Sequence, residues 1–193
     1  MTKKRQHRKR NNTRTGMQFI LGAGLVLIGW AAFMIVQGPQ NTEAAQALPG
    51  SVIPIEVNYP APELSLQTVN GKSESLVEYR DRIVLVNNWA TWCPPCKAEI
   101  PTLEAYYETH ANDGFVIIGI EAGETQKDVL GFVQEHAMTY PVWFDLNGAA
   151  MKAFHNESLP SSYVIDRQGI VRYSWVGEIS QEMLEKYITP LLQ

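Results

Sequence analysis

Cysteine and histidine are scarce in this chain of 193 residues: there are 2 of the first and 4 of the second. Two cysteines exclude a multi-disulfide scaffold. A structural zinc site needs four ligands, and beyond the cysteines only His110, His136 and His155 remain as soft candidates, without H-x(3–5)-H spacing. Acid residues are absent before Glu43, and charge of either sign is absent from Met17 to Val36. No cysteine follows that uncharged run closely, which excludes a lipoprotein anchor. Internal repeats and low-complexity blocks are missing as well.

What the chain does have at its start is a basic cluster: Lys3, Lys4, Arg5, Arg8, Lys9, Arg10 and Arg14. Twenty apolar residues rising about 1.5 Å each reach about 30 Å, the thickness of a bilayer's hydrocarbon core. The flanking Lys/Arg residues place the tail on the cytoplasmic side and everything after Val36 outside. A cleaved secretory signal is the competing reading, with Ala45-Gln46-Ala47 as a small-x-small cleavage site. That site lies far beyond the run, and the run suits a span better than an h-region. The predicted organisation is a cytoplasmic tail (1–16), a transmembrane anchor (17–36), a linker rich in Pro, Gly, Ala, Gln and Asn (37–60) and one folded domain (61–193). The basic cluster abuts a span and the net charge is −4, so nucleic acid is not an expected partner.

In the folded part, Leu64 and Leu66 alternate with polar neighbours and Asn70-Gly71 marks a hairpin turn. Ser75 is positioned to cap a short helical turn through Tyr79. Ile83 to Trp89 and Phe115 to Ile120 read as strands buried on both faces, because their apolar residues run without alternation. A helix is predicted between them from Cys93 to about Asn112, with Pro101 inside it and Asp113-Gly114 ending it. Glu124 or Thr125 starts an amphipathic helix with Val129, Phe132, Val133 and Ala137 inward. A strand at Tyr140–Phe144, a short helix at Ala149–Phe154 and a strand at Tyr163–Ile165 follow. The Asp166–Gly169 turn leads to an antiparallel partner at Ile170–Val176 that closes the sheet's edge. Ser180 caps a last helix with Met183, Leu184, Tyr187 and Ile188 inward. Parallel crossovers followed by an antiparallel hairpin make the class α/β with a mixed sheet.

The two cysteines stand three apart in Trp92-Cys93-Pro94-Pro95-Cys96, at a strand-to-helix junction. A thiolate is the nucleophile in disulfide exchange, and free cysteine is mostly protonated at neutral pH, with a pKa of about 8.5. At a helix start, unpaired N–H groups and the positive dipole end stabilise Cys93 as S⁻. Both intervening residues are proline, which costs little in a helix's first turn and stiffens it. The expected cycle has Cys93 attacking a substrate disulfide and Cys96 resolving the mixed disulfide. A purely structural disulfide would enclose too small a loop to constrain the chain much. Glu99, three residues after Cys96, reads on spacing alone as a first-turn acid favoured by the dipole, and Pro160 as a turn proline.

The segment Val84–Pro101, with Leu159-Pro160-Ser161-Ser162-Tyr163 and Ile165-Asp166 downstream, resembles the thioredoxin superfamily. It is most similar to the TlpA/ResA/CcmG branch of membrane-tethered thiol-disulfide oxidoreductases, over about Ala61 to Leu192. The resemblance implies a thioredoxin-like mixed sheet flanked by helices, with an N-terminal β-hairpin extension. It implies that Pro160 is a cis-proline facing the disulfide and that the Leu159 backbone pairs with a bound substrate strand. Glu99 would be the branch's active-site glutamate, Trp92 would shield the thiolate and, with Pro94 and Pro95, border the substrate, and Trp89 would support the turn. Two departures stand out: Asn87 replaces thioredoxin's buried aspartate, and Asn88 replaces an aromatic residue. The implied function is an extracytoplasmic protein disulfide reductase without organic cofactor or metal. Apocytochrome c is the first substrate to consider and a CcdA/DsbD-type transporter the implied electron donor. A disulfide oxidase or isomerase uses the same motif, and a copper-delivery protein of related fold is a further reading, though such proteins carry a longer cysteine spacing and a nearby histidine.

Overall fold

A computed structural model describes residues 52–193; the predicted tail and span, and most of the predicted linker, lie outside them. Among the described residues no helix is long and apolar enough to cross a membrane.

Eight strands form one sheet: β1 (Ile55–Pro60), β2 (Ser65–Thr68), β3 (Ser73–Ser75), β4 (Ile83–Trp89), β5 (Phe115–Glu121), β6 (Val142–Phe144), β7 (Ser161–Ile165) and β8 (Ile170–Val176). Their spatial order is β1-β8-β7-β4-β5-β6-β2-β3. The central β4, β5 and β6 are parallel, and every other pairing is antiparallel. Two details differ from the expectation. The linker does not extend to residue 60, because Ile55–Pro60 pairs with β8. For the same reason β8 is not the sheet's edge. The alternation that would mark β1 is missing, since most of its side chains face solvent, as suits an edge strand.

Five helices complete the fold: α1 (Pro94–His110), α2 (Gln126–Glu135), α3 (Ala149–Ala153), α4 (Gln181–Tyr187) and α5 (Thr189–Leu192). The uninterrupted apolar run of β4 is explained by cover on both faces. Ile83, Leu85 and Trp89 point into a core with Ile100, Leu103 and Tyr106 of α1, Val129 and Phe132 of α2, and Leu184 of α4. Val84 and Val86 point the other way, onto Leu76, Ala150 and Phe154. Thr125 caps α2 by accepting from the Asp128 amide. That helix stops at Glu135, and Ala137, expected on the inner stripe, is exposed with φ at 50°.

The strand register sets where the chemistry sits. Trp89 pairs with Glu121, Glu121 with Phe144, Asn88 with Ser161, and Ser161 with Val176. The ends of β4, β5, β6 and β8 and the start of β7 therefore share one edge. Behind that edge, Gly119 of β5 is closely approached by two rings: an added Cβ would lie 3.0 Å from both Trp89 Nε1 and Tyr140 Cε2. Gly119→Ala is expected to cost about 1–3 kcal/mol, because neither buried ring has room to retreat. Equilibrium urea unfolding of the two proteins checks this.

Candidate functional site

The site is built where β4 ends and α1 begins. Trp89 is fully buried and packs on Phe132 with ring centroids 5.1 Å apart, which fixes the strand end. Cys93 then takes the N-cap position of α1 with extended backbone, and Pro94 and Pro95 fill the first helical positions. Cys93 and Cys96 are joined as a disulfide with their Cα atoms 5.3 Å apart. The Cys96 amide, one of the donors a helix start leaves unpaired, points at Cys93 Sγ at 3.3 Å. An N–H directed at this sulfur favours its anionic form once the pair is reduced.

The Leu159–Pro160 peptide is cis. Pro160 is buried just before Ser161, while Leu159 is half-buried against the core cluster that contains both cysteines. Trp92, Pro94 and Pro95 are exposed. Trp92 has two-thirds of its surface in solvent (66%), so it is available to a partner and is not folded into the core.

Glu99 is not the solvated first-turn acid that its spacing allows. It is completely buried on α1, one helical turn beyond Cys96. Its Oε1 accepts from Asn87 Nδ2 at 2.8 Å, and its Oε2 accepts from the Ile179 amide at 3.1 Å. Burial pushes its carboxyl up to about 8; the two donors pull the other way without offsetting it, and Glu178 adds to the rise. The group therefore exchanges its proton in the range where thiols do.

The two asparagines belong to a pattern that crosses to β7. Asn87 also donates to Ser162 Oγ at 3.0 Å, and Asn88 donates to Ser161 Oγ at 3.1 Å. Each pair sits directly across the ladder, on opposite faces of the sheet. The two serines following Pro160 thus satisfy the two amides preceding the cysteine turn. This gives Asn88 a donor's role, although its Oδ1 finds no partner among the described residues.

A second acidic group was not anticipated. Glu121 ends β5 fully buried, and its carboxylate accepts from the Glu124 amide at 3.0 and 3.2 Å. Burial, and next the facing Glu124 side chain, raise it to about 8. Glu124 in turn accepts from the backbone N–H of Thr91 at 2.7 Å. The only sequence signal was an acid directly after the apolar run Phe115–Ile120.

Residues 57–174 match the model of the AhpC/TSA family. The thiol-disulfide oxidoreductase ResA of Bacillus thuringiensis subsp. konkukian is 31% identical over 164 residues, which cover 85% of this chain and 90% of that protein. The thioredoxin-like protein YneN of Bacillus subtilis is 28% identical over 84% of this chain and 91% of its own. Among solved structures, a thioredoxin-family thiol:disulfide interchange protein of Chlorobium tepidum superposes with a TM-score of 0.65 and 31% identity. The match spans 72% of this chain and 99% of that one.

The raised carboxyls have a measurable consequence. In the unfolded chain both acids ionise near the ordinary 4.5, whereas in the fold they hold their protons to about 8. Between those values the unfolded state binds fewer protons, so stability is highest below the window and falls as pH rises through it. Glu99→Gln removes one of the two contributions. Denaturant midpoints at pH 5 and pH 8 should therefore lie closer together in the variant than in the parent. An unchanged gap would show that Glu99 is ionised throughout.

Proposed function

This chain belongs to the AhpC/TSA family and is a ResA-like thiol-disulfide oxidoreductase, and we propose that it is a membrane-anchored, extracytoplasmic reductase of disulfides in exported proteins. The observation that carries this reading is the buried Glu99 carboxyl one helical turn from the resolving Cys96.

In the reduced enzyme Cys93 S⁻ attacks one sulfur of a substrate disulfide; the substrate's S–S bond breaks and its second sulfur leaves as a thiolate that takes up a proton. Cys96 then gives up its proton, with Glu99 as acceptor, and attacks Cys93 Sγ. The enzyme S–S bond forms, the mixed disulfide breaks, and the substrate departs fully reduced. Two electrons have moved and the enzyme is oxidised. A dithiol donor must reset it, and a CcdA/DsbD-type membrane protein fits that need. The reaction uses only the cysteine pair, so no organic cofactor is required.

The direction of flow follows from charge. Strong oxidants of this fold owe their potential to a stabilised thiolate. The burial that keeps Glu99 protonated at neutral pH disfavours a thiolate beside it as well, and Glu99 repels one once it ionises; both favour the disulfide form of the enzyme and donation of its electrons. The exposed Trp92, Pro94 and Pro95 give an extended substrate a surface next to the disulfide. Apocytochrome c, whose haem-attachment motif carries two cysteines, is the first candidate.

The first described residue, Val52, packs near the cis-proline. Val52 packs against Gly177, where an added Cβ would lie 2.9 Å from Val52 Cγ2. The Gly177 amide donates to the Pro160 carbonyl at 2.8 Å.

The test is capture. Full-length Cys96→Ser, expressed in cells exporting c-type cytochromes, should accumulate mixed disulfides through Cys93 with exported thiol proteins, apocytochrome c among them. Cys93→Ser should capture none. Capture confined to a disulfide-generating oxidase, or none in either variant, would contradict the proposal.

A further inference from the structure

The turn that carries Cys93 is tied down from outside the Cys-x-x-Cys motif. Thr91, two residues ahead of Cys93, donates its backbone N–H to Glu124 Oε2 at 2.7 Å and its hydroxyl to Glu124 Oε1. A second tie runs alongside, from the Ala122 amide to the Trp89 carbonyl at 2.9 Å. The turn closes through the Cys93 amide on the Ala90 carbonyl at 3.2 Å. Movement of Thr91 therefore moves the backbone that aims the Cys93 sulfur. Nothing in the exchange chemistry itself consumes these contacts.

Glu124 lies in the loop from β5 to α2, after Gly123 with φ at 90° and before Thr125, the cap of α2. It is fixed at its own backbone by Glu121, which accepts its amide. The charged groups facing this pair are also acids. Asp145 stands on the next strand end, with its amide donating to the Glu121 carbonyl at 2.9 Å and its carboxylate accepting from Ala149 and Ala150 at 2.7 Å each. Among the described residues neither Glu121 nor Glu124 has a cationic partner within ion-pair distance.

We propose that Glu124 is a positioning residue for Cys93, bracing the Thr91–Cys93 turn against the edge of the sheet, and that Glu121 is the group that holds Glu124 in that pose. While Glu121 is neutral, the Glu124 side chain faces Thr91 and is hydrogen-bonded on both oxygens. When Glu121 ionises, its buried carboxylate faces the half-buried Glu124 side chain, with Asp145 behind them, and Glu124 is driven off Thr91. The brace holds at neutral pH and loosens in alkali. This deepens the reading of Cys93 as the attacking thiolate and rests on it.

The experiment uses the reduced full-length protein in detergent, with two readouts: hydrogen exchange at the Thr91 amide, and the pH midpoint of Cys93 alkylation by iodoacetamide. Glu124→Ala should speed Thr91 exchange by about tenfold or more, the scale of a lost hydrogen bond to a charged group, and should shift the alkylation midpoint. Glu124→Gln keeps both contacts, its carbonyl accepting the N–H and its amide donating to the hydroxyl oxygen, and should restore both readouts. Glu121→Gln should abolish the part of the parent's acceleration above about pH 8 that exceeds the base-catalysed rise common to all amides. If Glu124→Ala does not fold, Thr91→Val, which keeps the N–H and loses the hydroxyl, should still raise exchange several-fold. Unchanged exchange and midpoint in whichever of these variants folds would overturn the proposal. Faster alkylation of Cys96 than of Cys93 would instead defeat the reading of Cys93 as nucleophile, and the Thr91 exchange would still decide the brace.

Discussion

A carboxyl group buried away from water between a helix and a central strand is the constraint on which this site depends. Glu99 would be costly there without partners, since an unpaired buried charge is far more expensive than a neutral polar group. The fold answers with two donors, the Asn87 side chain and the Ile179 amide, and with a proton retained to about 8. Those partners come from β4 and from the segment between β8 and α4, so the acid ties two parts of the chain to the helix that carries the cysteines. Asn87 in turn needs Ser162, which places the strand after the cis-proline in register with the strand before the disulfide. One buried acid thus links the helix that carries the cysteines to the strand that follows the cis-proline.

The same principle operates twice along one sheet edge. Glu121 pairs with Trp89 across the ladder and is equally sealed from solvent. It has a carboxyl neighbour, Glu124, whose amide also donates to it, where Glu99 has an amide neighbour, and it acts on the loop instead of the helix. The two acids flank the Cys93 turn: one is placed to manage the proton of the resolving thiol, the other to steady the backbone that aims the attacking one.

Much of the fold was legible because both faces of β4 and β5 are covered, and such strands announce themselves as unbroken apolar runs. The cysteine turn was legible because two prolines and a helix start leave few alternatives. Other features were not. β1 escaped because an edge strand exposed on nearly every residue has no alternation, and Pro54 and Pro60 make it look like linker. Ala137 was misassigned because helical spacing continues one turn beyond the helix's real stop at Glu135. For Glu99 the spacing favoured a solvated acid; its burial depends on Ile179, eighty residues away, which no local pattern contains. Ser161 and Ser162 could be quoted as part of a resemblance, but their pairing with Asn88 and Asn87 is a matter of ladder register. Glu124 was seen only as a helix start, because its partner Thr91 lies across the sheet.

The central claim is that the acid beside the cysteines makes this pair an electron donor. The reduction potential of Cys93–Cys96 in the full-length protein, measured against a glutathione buffer at neutral pH, tests it most directly. A value near or below thioredoxin's ~−270 mV is predicted. A value near the ~−120 mV of a strong disulfide oxidant would mean that the thiolate is stabilised despite Glu99, and the account of electron flow would be wrong.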